Sequence, residues 1–125
     1  MLSQETLVAF LATSNPEAAR GFYGGVLELT LLFDEEHLMV FESGASRVAL
    51  QKADKVNPPH GTALGWNVKD IRGTMAALSA RGVTFERYPG MQQDEQGVWS
   101  PVPGQGVAWF KDPDSNTLSL SGAIG

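Results

Sequence analysis

His37 and His60 are the two imidazoles in a chain of 125 residues, and there is no cysteine. Thiolate zinc sites, disulfides, iron–sulfur clusters and cysteine nucleophiles are therefore excluded. Any metal would rest on at most two imidazoles with carboxylate or amide oxygens. His37 follows the acidic run Asp34-Glu35-Glu36, which reads as a solvated hairpin turn rather than a metal site. His60 stands beside Pro58-Pro59 with no partner at ligand spacing, so it reads as an exposed linker histidine. No nucleophile elbow, phosphate-binding glycine loop or dinucleotide fingerprint is present. Arg47 stays charged and suits a carboxylate or phosphate. Tyr88, Trp99 and Trp109 cluster in the second half of the chain. Aromatic residues in strands are ordinarily core, but their clustering also suits a platform for a flat small molecule.

The overall balance narrows the partners. Nine Lys and Arg against fourteen Asp and Glu give a net charge of −5, and no basic cluster exists for phosphate binding, so no nucleic acid is expected. The acidic balance favours cations at long range but does not specify one pocket. No apolar run reaches the length of a membrane span and no leader pattern opens the chain, so the expected location is cytoplasmic, with no membrane partner. At this length one domain buries roughly two-thirds of its unfolded surface without staples.

The elements that must position these residues follow a repeat. The apolar run Leu7 to Ala12 is too short for an independent helix and reads as a buried strand. Asn15 offers an N-cap oxygen, Pro16 suits the first helical position and Glu17 suits the positive end of the dipole. Ala18, Phe22 and Val26 share one face of that helix, which is expected to fray at Gly24-Gly25. Short apolar segments at residues 29–33, 38–41 and 47–50 predict three antiparallel strands. After a polar stretch the plan recurs: a strand at residues 62–68, a helix capped by Asp70 with Ile71, Met75 and Leu78 on its apolar face, and Gly82 at its end. Strand-like segments follow at residues 83–88, 97–99, 107–110 and 117–120. The expected fold is α+β, two tandem βαβββ modules forming a cupped mixed sheet with helices on the convex face. It is a single domain over residues 1–125, with module one at about 5–52, a linker at about 53–61 and module two at about 62–122.

Within this plan, Asn15-Pro16-Glu17 with Phe22-Tyr23 and Val26-Leu27, Asp70-Ile71 with Gly82-Val83, and Phe110-Lys111-Asp112-Pro113-Asp114-Ser115-Asn116 resemble the vicinal oxygen chelate superfamily of glyoxalases, bleomycin-resistance proteins and extradiol dioxygenases. The resemblance covers nearly the whole chain, and the turn before the last strand is its most specific part. Glu28 and Ser115 stand where the family commonly has Gly, so those turns must tolerate a side chain or adopt another φ.

The resemblance implies a divalent metal held from four strand positions, which here are Val8, Ala49, Ala63 and Ser119. None is a carboxylate or imidazole, so no metal and no other cofactor is expected. An apolar cup with polar handles remains, which is the general form of a small-molecule pocket. Strand parity on the family's pattern points Phe10, Arg47, Gln51, Asn67 and Ser119 into it, and these join Tyr88, Trp99 and Trp109 as expected ligand-binding residues, with no catalytic residue assigned. Parity places Trp66 in the core. The loop at residues 91–97 reads equally as a closing flap and a solvated connection. The function implied is binding of a small, largely apolar or aromatic molecule, as in the bleomycin-resistance branch, by a homodimer. The alternatives are a metal-dependent lyase, isomerase or dioxygenase using Gln51, His60 and Glu95 or a partner chain, and a dimeric interaction domain without a ligand.

Overall fold

The computed structural model describes residues 1–125 and resolves into two compact units, residues 1–58 and 59–125.

In the first unit a 3-10 turn at Leu2–Gln4 precedes β1 (Val8–Thr13), α1 (Pro16–Arg20), β2 (Thr30–Asp34), β3 (Leu38–Ser43) and β4 (Ser46–Lys52). The sheet order is β1-β4-β3-β2. β1 runs parallel to β4, with Phe10 opposite Ala49, and the other pairs are antiparallel. Asn15 caps α1 by accepting from the Ala18 N–H at 3.2 Å. Instead of fraying at Gly24-Gly25, the helix continues as a π-helical turn over Gly21–Val26. That wider turn carries Tyr23 into full burial, its ring 5.9 Å from Phe41. Burial of an aromatic side chain outweighs the roughly 1 kcal/mol that each glycine costs a helix. Met39, Phe41 and Leu50 complete this core.

In the second unit β5 (Thr62–Val68) leads into α2 (Ile71–Ser79), then β6 (Gln105–Lys111) and β7 (Thr117–Ala123). The order is β5-β7-β6, with β5 parallel to β7 and β6 antiparallel to it. Asp70 caps α2 through the Gly73 N–H at 3.1 Å, and α2 packs against β7 with Ile71, Met75 and Leu78 buried. Ala108, Phe110, Leu118 and Leu120 form the buried face of the sheet, and Trp66, paired with Leu120, is half-buried on that side. Their alternates Trp109, Ser119 and Thr117 line the opposite face.

The architecture is the expected mixed α+β one, but its strands divide into sheets of four and three. The expected strands at residues 83–88 and 97–99 are absent as regular elements. Both compete for the single free edge of β6. Trp99 exchanges both backbone bonds with Val107, at 2.8 and 2.9 Å, while the Glu86 N–H donates to the Trp109 carbonyl at 2.7 Å. Each segment therefore gains one local pairing and neither gains a ladder. Glu28 and Ser115 take left-handed backbone, with φ of 60° and 67°, so these turns keep the conformation glycine favours while carrying a side chain.

Candidate aromatic binding site

The site grows from one row of the second sheet. Trp109 on β6 stands directly opposite Ser119 on β7, which stands opposite Gly65 on β5. A Cβ built on Gly65 would lie 2.5 Å from Ser119 Oγ, so this row accommodates only small groups beside the indole. Trp109 reaches across the sheet, and its Nε1–H donates to Thr62 Oγ1 on β5 at 3.1 Å. That bond ties the N–H edge of the indole to β5. Tyr88 meets Trp109 edge-on with ring centroids 5.6 Å apart, and Trp99 lies tilted against it at 6.2 Å.

The segment carrying Tyr88 is pinned by Gln93. Its Oε1 accepts from the Tyr88 N–H at 2.7 Å, and its Nε2 donates to the carbonyls of Glu86 and Gly97 at 3.0 and 2.8 Å. Asp94 fastens the same loop to α2 through Arg72, at 2.7 Å, and accepts from the Val98 and Gln96 N–H groups. Partial burial would raise the Asp94 carboxyl, but Arg72 and those two N–H groups outweigh it and hold its pKa below the usual range. Tyr88 is shifted upward, mainly by burial and secondarily by the Glu86 charge. Its phenol therefore stays protonated at neutral pH and remains a donor.

Two cavities flank Tyr88. One of about 280 Å³ is bounded by Thr62, Tyr88, Met91, Trp109, Lys111 and Thr117. The other, of about 450 Å³, lies against Tyr88, Met91, Gln92 and Trp99. Both are near the lower end of the roughly 300–1,000 Å³ range of small-molecule pockets.

Of the expected ligand-binding residues, Tyr88, Trp99 and Trp109 come together here, with Ser119 in the row beside the indole. Asn67 pairs with Ser121 further along the strand and is exposed. Phe10, Arg47 and Gln51 lie in the first unit, where Arg47 pairs with Val8 and Gln51 with Ala12. Phe10 is 60% exposed. His37 and His60 are exposed, and the charged partner nearest His37 is Glu36, at 3.7 Å. Thr62 and Lys111 were absent from the expected site; Thr117 shares the inward parity of Ser119 on β7. Lys111 follows Trp109 by two residues, so strand parity alone would have placed it on the same face.

Residues 6–120 match the Glyoxalase/Bleomycin resistance protein/Dioxygenase superfamily, and the chain belongs to it. No curated protein matches the sequence. Among solved structures, a superfamily member from Sphaerobacter thermophilus DSM 20745 shares 26% identity over 98% of this chain and 99% of its own, with a TM-score of 0.71. TnmS3, an antibiotic binding protein from Streptomyces sp. CB03234, shares 21% identity over 98% of each chain, with a TM-score of 0.73. A lactoylglutathione lyase from Agrobacterium tumefaciens shares 16% identity over 95% of this chain and 93% of its own, with a TM-score of 0.66. The four positions that the family resemblance assigns to a metal, Val8, Ala49, Ala63 and Ser119, offer three hydrocarbon side chains and one hydroxyl. This donor set does not fit a divalent ion, which needs about three or more protein donors. No group of three or more His, Asp or Glu side chains comes together elsewhere.

Proposed function

We propose that this chain is a metal-free, small-molecule-binding member of its superfamily, taking an aromatic compound against Tyr88, Trp99 and Trp109. The observation that carries the reading is the Trp109 indole, hydrogen-bonded to Thr62 with two further rings against it and a cavity beside it. A pre-set aromatic platform of this kind lowers the ordering cost of binding a flat ligand. That TnmS3, of like fold, is an antibiotic binding protein supports a binding role for the scaffold. No carboxylate or imidazole lines the cavity beside Trp109, so binding is favoured over a lyase or dioxygenase reaction.

Tryptophan fluorescence titrated with a panel of aromatic compounds tests this. A saturable change is expected with at least one compound, weakened about tenfold in Trp109→Ala. Silence across the panel overturns the binding reading. Metal analysis of protein purified without chelator is expected to find far less than one equivalent, and a tightly held equivalent overturns the metal-free part.

A second reading, compatible with the first, concerns assembly. Leu7 is 69% exposed, and with Phe10, Leu32 and Phe33 it leaves apolar surface uncovered on the first unit. Such surface and unpaired sheet edges favour a homodimer. Sedimentation at twice the 13.4 kDa chain mass is the expected result.

A further inference from the structure

The polar lining of the smaller cavity bears on the charge of its occupant. Lys111 lies opposite Thr117 in the β6–β7 ladder, on the same face as Trp109, and its side chain borders the cavity. The chain's ion pairs join Arg20, Lys52, Arg72 and His37 to acids and leave Lys111 out. Thr62 spends one oxygen lone pair on the Trp109 N–H and keeps its O–H to donate. Thr117 and Tyr88 add two more hydroxyls, and Tyr88 stays protonated. No carboxylate lines the cavity. Glu86, whose charge acts on Tyr88, lies outside that lining.

A cationic ligand here would face an ammonium with no acid to balance it. An aromatic carboxylate would meet one ammonium and hydroxyl donors on its oxygens, and charge-assisted hydrogen bonds are stronger than neutral ones. The net charge of −5 does not reverse this, because exposed charges more than about 8 Å away are largely screened at physiological ionic strength. The volume, about 280 Å³, suits a one- or two-ring compound.

We propose that the Trp109 cavity takes a small planar aromatic carboxylate, its ring against Trp109 and Tyr88 and its anionic group received by Lys111 and the neighbouring threonine hydroxyls. This specificity rests on the reading of the aromatic cluster as the binding site.

The test is calorimetric titration with naphthalene-2-carboxylate and the neutral, nearly isosteric naphthalene-2-carboxamide. Lys111 is exposed, so the carboxylate is expected to bind about fivefold more tightly, the upper end for a solvent-accessible ion pair. The affinity ratio falls to near one in Lys111→Gln, persists in Lys111→Arg and shrinks as salt is raised. Equal affinities in the wild type overturn the carboxylate assignment, and a preference undiminished by Lys111→Gln overturns the role of Lys111 in it; both leave the aromatic site standing. Failure of both compounds to bind overturns the carboxylate assignment, and the aromatic site falls with it only where the fluorescence panel is silent as well.

Discussion

The two units begin alike and finish differently. Each opens with a strand leading to a side-chain-capped helix, and each runs its opening strand parallel to its last. In the first unit a fourth strand, β2, covers the free edge of β3, and the sheet is complete. In the second, the same edge position on β6 is shared between Trp99 and the segment bearing Tyr88. Losing the ladder there lets two irregular segments each bring an aromatic ring onto Trp109. The first unit is finished as a sheet with exposed aliphatic and Phe side chains. The second is left unfinished at its edge and holds the aromatic cluster. Binding residues are often carried on irregular segments positioned by a rigid scaffold, and Gln93 is the group that holds these segments still.

The closing hairpins sharpen the contrast, and the largest expected effect lies there. β3 and β4 are joined through Gly44 with a φ of 56°, whereas β6 and β7 are joined by residues 112–116, organised around a buried carboxylate. Asp112 accepts from the N–H groups of Asp114 and Asn116 and from Asn116 Nδ2, each at 2.9 Å. Asp112→Ala leaves three donors without their acceptor, two of them on buried Asn116, and is expected to cost about 3 kcal/mol or more in urea unfolding. Gly44→Ala, which strains one left-handed residue in open space, is expected to cost about 1 kcal/mol. Equal losses would show that the two hairpins are held in the same way.

A smaller effect separates the two helix caps. Gly73 in α2 would ordinarily gain about 1 kcal/mol on replacement by Ala. Its Cβ would lie 3.0 Å from the Asp70 carboxyl carbon and closer still to Oδ2, and that carboxylate is the cap. The gain and the disturbed cap are therefore expected to cancel in Gly73→Ala, leaving stability nearly unchanged. In an Asp70→Ala background, already weakened by about 1 kcal/mol, the same replacement is expected to stabilise by about 1 kcal/mol. A double-mutant cycle by urea unfolding reads the coupling directly, and a coupling of zero means that the Asp70 side chain does not restrict position 73.

The strand–helix openings were legible in the sequence because caps and periodicity are local. Asn15-Pro16 and Asp70 state their role within a few residues, and parity along β7 sets Ser119 on the face away from buried Leu118 and Leu120. The edge of β6 was not legible, because both competing segments have strand-like sequences and only tertiary pairing decides between them. The aromatic trio could be named from clustering, whereas the Trp109–Thr62 bond spans 47 residues and has no local signature. Lys111 shares the parity of Trp109 on β6, but an exposed lysine in a strand carries no local sign of a binding role. The π-helical turn at Gly21–Val26 accompanies the burial of Tyr23, where composition shows only three glycines weakening a helix.

The smallest expected effect compares the ion pairs. In the first unit Asp34 joins α1 to the sheet, accepting from Arg20 and from Lys52 at 2.5 Å. Lys52 and then Arg20 hold its pKa below the ordinary value of 3.8, against a modest opposing effect of burial. In the second unit Asp94 is also held low, but two of its partners are backbone N–H groups. A folded-state pKa below the unfolded one means that each acid contributes stability above the ordinary carboxylate pKa and loses it as pH falls through the depressed folded value. Asp34→Asn and Asp94→Asn should each be less stable than the wild type near neutral pH, and each difference should begin to shrink near pH 3.8 and disappear only below the depressed folded pKa. Salt then distinguishes the two. At 1 M the Debye length is about 3 Å, so the attraction of Asp34 to its mobile cationic side chains is weakened, while the backbone donors on Asp94 stay in place. Carbon-13 titration of the two carboxyl groups is expected to show Asp34 returning further toward its ordinary pKa than Asp94 in 1 M salt. An equal return would mean that Arg72 alone holds Asp94, and that the loop beneath Tyr88 is fastened by surface charge rather than by its own backbone.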